Sequence, residues 1–527
     1  MTPRLSVVMI VRDEADLAPA FLEAARGLWD ELVVVDTGSS DDTAAIFRDA
    51  GAQVFPFAWT HDFAAARNES LAHATGDFVL VLDADEQVSP EFIAECRAAV
   101  ASPGVGAVVV RLSNLLPYGH RRESWVLRGW RRDPVVQYRH PIAEDPSDGV
   151  VKMLAARGLT LARLEEPVEH LGYVRTRDAA KDKRERHTAM LRQCLTDDPS
   201  DFYSRLKLLE LARAWQDEAA WRAEAQGATE AIEVAGRQHL ERQPWGGELI
   251  ALIVEGLFPP TSPAALLFLE GWAPRLVPSA AFFHRRGVCH EHQGHVEKAR
   301  ADYTACLTTG EQTGDLQLLS VRPRLGLARL ALAQGTPPLA LQRAREALES
   351  GPRDPEALLA VASLTRHLEG TLALERWADQ QQELEPACPE RDWAIGEALI
   401  SAGDYKPAVT WFRSGAGVPP GGPAALRLAQ ALLGTGQFQA AEQLARQLVE
   451  TQPEAGLGVL IFDLAAGRDT CLELELSAET ANASMKQWVD ALIASRQRSF
   501  VRKVRARIGA VADLFPWLTG YLLKKTA

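Results

Sequence analysis

The sequence lacks several features that would assign its class at once. Its six cysteines are scattered, and none has the paired spacing of a zinc site. This usage predicts a reducing compartment, in which the thiols are buried as small apolar side chains. The cysteines are Cys96, Cys194, Cys289, Cys306, Cys388 and Cys471.

Long apolar runs and a basic excess are also missing. No apolar run reaches the ~18–20 residues that a membrane-spanning helix needs. A strand-like run begins already at Leu5, so no signal peptide is expected and the protein is predicted to be cytoplasmic. Because the net charge is −13, non-specific nucleic-acid binding is disfavoured as the main activity.

The chain contains two kinds of sequence. At 527 residues it is too long for one core and is expected to hold two or three domains. In the first part, apolar strands alternate with helical segments of ~10–15 residues, which indicates βαβ units and a parallel sheet. Between Ser124 and Pro146 we expect loops and short strands over the site. The predicted strands are Leu5–Val11, Glu31–Val35, Val54–Pro56, the run that ends at Asp83, and Gly106–Arg111; helices are predicted at His61–His73 and Pro90–Val100.

From about Pro199 onward, Ala- and Leu-rich helical patterns replace the strands. Glycines between helical runs recur at intervals of 41, 35, 33 and 33 residues, which is typical of helical repeats: Gly294, Gly335, Gly370, Gly403 and Gly436. A small residue follows four of them by five positions, at Ala299, Ala340, Ala408 and Ala441, while Glu375 breaks the pattern. This half resembles tetratricopeptide repeats, which usually bind peptides or proteins. A dimerisation or purely structural role is the alternative.

A pair of carboxylates follows the apolar strand Phe78–Leu82, in Asp83-Ala84-Asp85. Ligands of open α/β sheets bind beyond the carboxyl ends of the strands, and carboxylates suit Mg²⁺ or Mn²⁺. Asp36 ends the second strand, where it could accept hydrogen bonds from a ribose or a base. A Gly-x-Gly-x-x-Gly phosphate loop is absent. A diphosphate beside these carboxylates would therefore require a divalent cation; solvated turns and helix caps are the alternative.

Separate segments of the N-terminal part resemble, in order and spacing, the family 2 glycosyltransferases with the GT-A fold: Leu5–Glu14, Asp36–Thr43, Asp62–Glu69 and Leu82–Glu86. The resemblance covers roughly residues 4–190. It is strongest to the subgroup of sublancin-type peptide S-glycosyltransferases, which also join a GT-A domain to tetratricopeptide-like helices. Asp13 stands where relatives usually carry Asn. The resemblance implies donor binding by Glu14, Asp36, Arg67 and Asp83, and a metal-binding pair formed by Asp83 and Asp85.

Two further segments bear on chemistry. Tyr138–Asp145 resembles a family segment that commonly ends in His-Glu, with Ala143 in place of the His. An inverting transfer needs a base, and we predict Glu144 for that role with Asp145 as the second choice. Alternatively, both are loop carboxylates paired with neighbouring arginines. The resemblance also implies that His170, in Glu169–Tyr173, is a third metal ligand or a diphosphate contact; a structural histidine is the alternative. An imidazole ligand favours Mn²⁺ over Mg²⁺.

Together these patterns predict an α/β GT-A nucleotide-sugar-binding domain followed by an all-α tetratricopeptide-like solenoid. The expected boundaries are 1–195 for the GT-A domain, 196–280 for a connecting helical region or degenerate repeats, 281–455 for the repeats and 456–527 for a C-terminal helical cap.

The implied function is metal-dependent, inverting transfer of a hexose from a UDP-sugar to a hydroxyl or thiol. The acceptor would be a peptide or protein recruited by the repeats. Transfer to lipid-linked or cell-surface polysaccharide sugars is one alternative, and a non-catalytic repeat scaffold with an inactive transferase domain is another. The basic stretch Arg496–Arg507 leaves peripheral membrane contact open, and a homo-oligomer is also open.

Overall fold

The computed structural model divides the chain into two compact units, residues 1–326 and 327–527. The domain boundaries expected at 195, 280 and 455 stay a prediction. Cys471 and Leu171–Tyr173 lie outside the described residues. The structure describes residues 3–115, 121–170, 177–215, 217–241, 243–311, 313–384, 388–414, 423–468, 476–511 and 514–526.

One mixed sheet forms the centre of the first unit. Its strand order is β3-β2-β1-β4-β7-β6-β8-β5, and β9 pairs with β7. The strands β3, β2, β1 and β4 are parallel to one another, whereas β7 is antiparallel to both β4 and β6. The strands are β1 (Leu5–Val11), β2 (Glu31–Asp36), β3 (Gln53–Pro56), β4 (Phe78–Val81), β5 (Glu86–Gln87), β6 (Val105–Leu115), β7 (Arg121–Arg131), β8 (Thr160–His170) and β9 (Gly314–Asp315).

The central strands are buried on both faces, as their continuous apolar runs predict. In β1, Val7 and Met9 pack into one core cluster while Val8 packs into another on the opposite face. Helices flank the sheet, and two of them begin at side-chain caps: Asp62 accepts a hydrogen bond from Ala65, and Ser89 from Phe92. These helices are α1 (Ala18–Ala24), α2 (Thr43–Asp49), α3 (Phe63–His73), α4 (Pro90–Ala101) and α5 (Ser147–Arg157).

The expected parallel arrangement holds for β1 to β4. The expectation of loops and short strands between Ser124 and Pro146 was wrong for its first part, up to Arg131. Ser124 lies within β7, an eleven-residue strand that runs antiparallel between β4 and β6. The arginines of β7 are atypical of a central strand, and the sequence pattern does not show the distant groups that bind them. Arg128 pairs with the buried Glu86, and Arg131 donates hydrogen bonds to the carbonyls of Ser102 and Val105.

Helices continue within the first unit after the sheet. Their core includes Phe202, Leu206 and Leu209, which lie in the region 196–280 predicted to be helical. Between the helix that ends at Cys306 and the helix that begins at Arg322, β9 returns to the sheet and pairs with Ser124 and Trp125 of β7. The helices are α6 (Arg177–Asp197), α7 (Phe202–Ala214), α8 (Glu218–Ala235), α9 (Gly246–Leu257), α10 (Pro263–Trp272), α11 (Ala280–His292), α12 (Val296–Cys306) and α13 (Arg322–Ala333), which extends into the second unit.

The described part of the second unit is helical and follows the predicted repeat. Its turn glycines adopt positive φ, from 72° at Gly335 to 89° at Gly370, a region that favours glycine. Ala340, Ala408 and Ala441 are fully buried. The predicted fold class is therefore confirmed. The helices are α14 (Pro337–Ser350), α15 (Pro355–Glu369), α16 (Thr371–Leu384), α17 (Pro389–Ser401), α18 (Tyr405–Ser414), α19 (Pro423–Gly434), α20 (Phe438–Leu448), α21 (Ala455–Ala466), α22 (Ala478–Ala494), α23 (Arg498–Arg507) and α24 (Leu518–Thr526).

The close packing of α17 on α18 gives a test of the repeat. A Cβ atom at Gly396 would lie 2.5 Å from Cζ of the fully buried Phe412. We expect Gly396→Ala to lower the free energy of unfolding by about 1–3 kcal/mol through overpacking. Gly520→Ala is the control, since nothing lies within 4 Å of that position and a helical alanine is favourable. Urea denaturation of both variants measures the difference, and equal stabilities would contradict the packing.

None of the helices within the described ranges combines the length and the apolar character that crossing a bilayer requires. The five cysteines among the described residues are free thiols. Four of them are buried, as predicted, and Cys194 is half-buried.

Candidate active site

The loops after β1 and β2 meet at one edge of the sheet, because the two strands are parallel neighbours with Val11 paired to Asp36. Asp36 Oδ1 accepts hydrogen bonds from the Ser39 amide at 2.9 Å and the Ser39 hydroxyl at 2.7 Å. The Glu14 amide donates to Thr43 Oγ1 at 2.7 Å. Glu14 and Asp36, both predicted donor contacts, therefore lie on adjoining loops.

Asp13 strengthens the same connection. Its backbone has a φ of 53°, and its Oδ1 accepts hydrogen bonds from the Ser40 amide at 2.7 Å and hydroxyl at 2.9 Å. These hydrogen bonds lower the pKa of the Asp13 carboxyl. The Asp13 carboxylate thus acts as an acceptor between the two loops, through an oxygen that an Asn side chain would also provide.

A buried arginine joins two of the predicted site carboxylates. Arg67, on α3, donates from Nη2 to Asp83 at 2.8 Å and from Nε to Glu144 at 3.1 Å. Burial alone would raise the pKa of Asp83, but the charges of Arg67 and Arg128 outweigh it and lower the pKa to about 2. Asp83 and Glu144, which are 61 residues apart in the sequence, are thus both bound by the Arg67 guanidinium.

The sequence interpretation missed a second buried ion pair beneath Asp83. Arg128 of β7 donates to Glu86 at 2.5 Å, and its Nη1 lies 3.7 Å from Asp83. Glu86 is fully buried and also accepts a hydrogen bond from the Asp83 amide at 3.0 Å. Burial, reinforced by the Asp83 charge, raises the pKa of Glu86 to about 7. The position of Glu86 directly after Asp-Ala-Asp was the available signal, whereas the pairing of Arg128 depends on the strand register.

His170 closes the other side of the site. It ends β8 opposite Glu86 of β5, and its Nε2 lies 3.2 Å from Asp85 Oδ2. Its Nδ1 lies 2.7 Å from the side-chain oxygen of Asn114. Burial would lower the pKa of His170, but the Asp85 carboxylate outweighs it and raises the pKa. Asp85 and His170, both predicted as metal ligands, are thus adjacent, and Asn114 orients the ring.

The donor atoms around Asp85 match the preferences of a divalent cation only in part. Mg²⁺ and Mn²⁺ commonly take one or two protein carboxylates and complete their shell with water and substrate phosphates. Asp85 and His170 are adjacent and could supply two ligands, while Asp83 is directed to the arginines. Among the described residues, no three His, Cys, Asp or Glu side chains converge as a metal cluster.

The loop that carries Glu144 is held in an unusual conformation. His140 and Ala143 have φ values of 69° and 56°, which are uncommon for residues with a Cβ atom. Tyr203 of α7 donates a hydrogen bond to the Ala143 carbonyl at 2.7 Å, and its ring stacks on His140 with 4.0 Å between centroids. Asp145 Oδ1 instead accepts from the Ser147 amide at 2.9 Å, at the start of α5.

A cleft opens beside these groups within the first unit. Its volume is about 1070 Å³, and its lining includes Arg67, Asp83 and Glu144 on one side. Residues of the helical segment also line it, among them Tyr203 and Trp245. The carboxylates Asp83 and Glu144 therefore line a space to which both the sheet and the helices contribute.

Comparison with known proteins bears on this arrangement. Residues 6–145 match the model of the glycosyl transferase family 2. This segment is therefore similar to family 2 glycosyl transferases. The predicted resemblance and the predicted enzyme class are both confirmed by this match and by the relatives. Arg67, Asp83 and Glu144 lie within the matched residues. Tyr203 and Trp245, the helical residues named above as lining the cleft, lie beyond them.

Relatives of the chain include a TPR repeat-containing protein and glycosyltransferases. A TPR repeat-containing protein of Synechococcus elongatus is 37% identical over 207 residues, 39% of this chain and 51% of the relative. An uncharacterized glycosyltransferase of Rickettsia conorii is 30% identical over 102 residues, 19% of this chain and 36% of the relative. Glycosyltransferase SunS of Bacillus phage SPbeta is 29% identical over 92 residues, 17% of this chain and 22% of that protein. The chain thus spans about half or less of these relatives.

The chain is also similar to solved structures, of which one is a mycobacterial synthase. Glucosyl-3-phosphoglycerate synthase from Mycobacterium tuberculosis, in complex with Mn²⁺, UDP and glucosyl-3-phosphoglycerate, is 18% identical with a TM-score of 0.28. The match covers 37% of this chain and 79% of that one.

Proposed function

We propose that the protein is a metal-dependent, inverting glycosyltransferase that moves a hexose from a UDP-sugar to a hydroxyl or thiol of a peptide or protein. The observation that carries the proposal is the convergence of Asp83 and Glu144 on the buried Arg67, beside the Asp85–His170 pair. The family match and the sublancin-type resemblance support it, as do the helical repeats, which we propose recruit the acceptor.

Each group has a task in the proposed reaction. Glu14 and Asp36 would bind the nucleoside, while Asp85 and His170, with Asp83 if its carboxylate turns from the arginines, would hold a divalent cation. Such a cation, when bound, neutralises the diphosphate as it leaves. Glu144 takes the proton of the acceptor hydroxyl or thiol while the acceptor atom bonds to the anomeric carbon and the bond to UDP breaks. Arg67 orients Glu144 through its Nε hydrogen bond.

A donor screen tests the proposal. The purified protein is incubated with UDP-glucose, UDP-galactose and UDP-N-acetylglucosamine in Mn²⁺, and the release of UDP is measured. We expect release from one donor, loss of that release in EDTA, and recovery when Mn²⁺ is restored. If no donor releases UDP and none shifts the melting temperature, the protein is not a UDP-sugar transferase.

A further inference from the structure

The cleft beside Glu144 has a wall that the transfer chemistry described above does not use. This helical wall consists of the cleft-lining residues Tyr203, Lys207, Trp245, Glu248, Glu311 and Asp315. We infer that the helical wall binds the acceptor directly and favours a peptide with a lysine or arginine near the residue that is modified. The inference rests on the proposed function and names the substrate class at the same site.

The location of the wall makes it part of the reaction site. Glu144, Asp83 and Arg67 line the same cleft, so a segment bound against the wall lies beside the proposed base. The side chain of Arg67 is only 8% exposed, and its Nη1 has no hydrogen-bond partner in the part of the chain that the structure describes. A buried donor without a partner is costly, which indicates that a ligand oxygen reaches it in the cleft.

The charge of the cleft indicates what kind of acceptor it takes. Seven carboxylates and four cationic side chains line it. A diphosphate and its divalent cation would nearly cancel one another, so the excess of negative charge would remain when the donor is bound. An acceptor that carries a positive side chain is therefore favoured, and an acidic one is disfavoured.

Two carboxylates of the wall form no ion pair within the described ranges: Glu311, which accepts a hydrogen bond from the Ala280 amide at 3.2 Å, and Glu248. The nearby Lys207 donates to both oxygens of Glu210, at 3.1 and 3.0 Å, and Asp315 pairs with Arg122 at 3.0 Å. Within the described ranges, Glu248 forms neither a hydrogen bond nor an ion pair through its side chain. Burial and the Glu210 charge raise the pKa of Glu248 to about 7. A ligand ammonium or guanidinium would stabilise its charged form.

The aromatic lining and the volume of the cleft are also suited to a peptide ligand. Trp245 lines the cleft and lies edge to face with Tyr203, at 5.7 Å between ring centroids. The Tyr203 ring is already covered by His140 and by the Lys207 ammonium, 5.1 Å from its centroid. Trp245 is therefore the ring for a ligand, since indole faces bind aliphatic stems and cations. The cleft volume of about 1070 Å³ is at the upper end of the ~300–1,000 Å³ typical of small-molecule pockets. It therefore has room for several peptide residues beside a nucleotide sugar.

The test measures binding separately from turnover. Fluorescein-labelled decapeptides with a central Ser or Cys, flanked by Lys, Gln or Glu, are titrated into the full chain and followed by fluorescence anisotropy. We expect the Lys peptides to bind at least about tenfold more tightly than the Glu peptides. Glu248→Lys should abolish or reverse this preference, and Glu248→Gln should reduce it. Glu233→Lys, the same charge change at an exposed position of α8, should leave it intact.

Equal binding of Lys and Glu peptides by the wild-type protein would overturn the inference. So would a preference that both Glu248 variants retain, since the selectivity would then come from another surface. The UDP-release assay is run on the same samples. Charge-selective binding without UDP release rejects the proposed function and not the peptide site, whereas UDP release without selective binding rejects the peptide site alone.

Discussion

Asp85→Ala should reduce UDP release by about a thousandfold, equivalent to about 4 kcal/mol of transition-state stabilisation. Asp85 lies 3.2 Å from His170 and is the site carboxylate whose partner is an imidazole rather than an arginine. Its loss removes one proposed ligand and leaves the ring of His170 without its carboxylate. Steady-state UDP release and Mn²⁺ affinity by isothermal titration calorimetry measure the two effects separately.

The matched control for this change is Glu91→Ala, which removes an exposed carboxylate from the first turn of α4. It should leave both UDP release and Mn²⁺ affinity near the wild-type values. Unchanged UDP release in Asp85→Ala, with the protein folded by circular dichroism, would show that the cation does not act at this carboxylate. Lost Mn²⁺ affinity with retained release would instead indicate a metal without a catalytic role.

Glu144→Gln should lower kcat for transfer by about 10²–10⁴-fold with little change in the KM of the donor. Gln keeps the size of the side chain and an oxygen that can accept from Arg67 Nε, now 3.1 Å from the carboxylate. It cannot take the acceptor proton. Single-turnover transfer to the best decapeptide measures the chemical step directly.

Asp145→Asn separates the two candidate bases. Asp145 Oδ1 already accepts a hydrogen bond from the Ser147 amide where α5 begins. We therefore expect a loss of no more than about tenfold, arising from the weakened start of the helix. If Asp145→Asn reduces transfer more than Glu144→Gln does, Asp145 is the base and Glu144 only positions Arg67.

Local sequence patterns predicted the first strands of the sheet and the turns of the helical repeats. The apolar run from Leu5 and the turn glycines of the repeats specify their structures through near neighbours alone. The ends of parallel strands could also be placed together, since β1 and β2 follow from βαβ connectivity. For this reason the positions of Glu14 and Asp36 on adjoining loops agree with expectation.

Other features depend on register and on distant segments, which spacing cannot supply. Arg128 reaches Glu86 and Asp83 only because β7 pairs antiparallel with β4. Asn114 meets His170 through the pairing of β6 with β8. The partner of the Glu144 loop, Tyr203, comes from a helix that sequence patterns assigned to a connecting region.

The hydrogen bond from Tyr203 to the Ala143 carbonyl has a consequence for recombining this segment with others. The residues that match the transferase family end at 145, yet the conformation of Ala143 is held by a side chain beyond that limit. The unit that could be transferred intact is therefore longer than the segment that matches the family. A chimera that joins residues 1–145 to foreign helices would contain Asp83 and Glu144. It would lack the Tyr203 hydrogen bond that fixes the backbone beside Glu144.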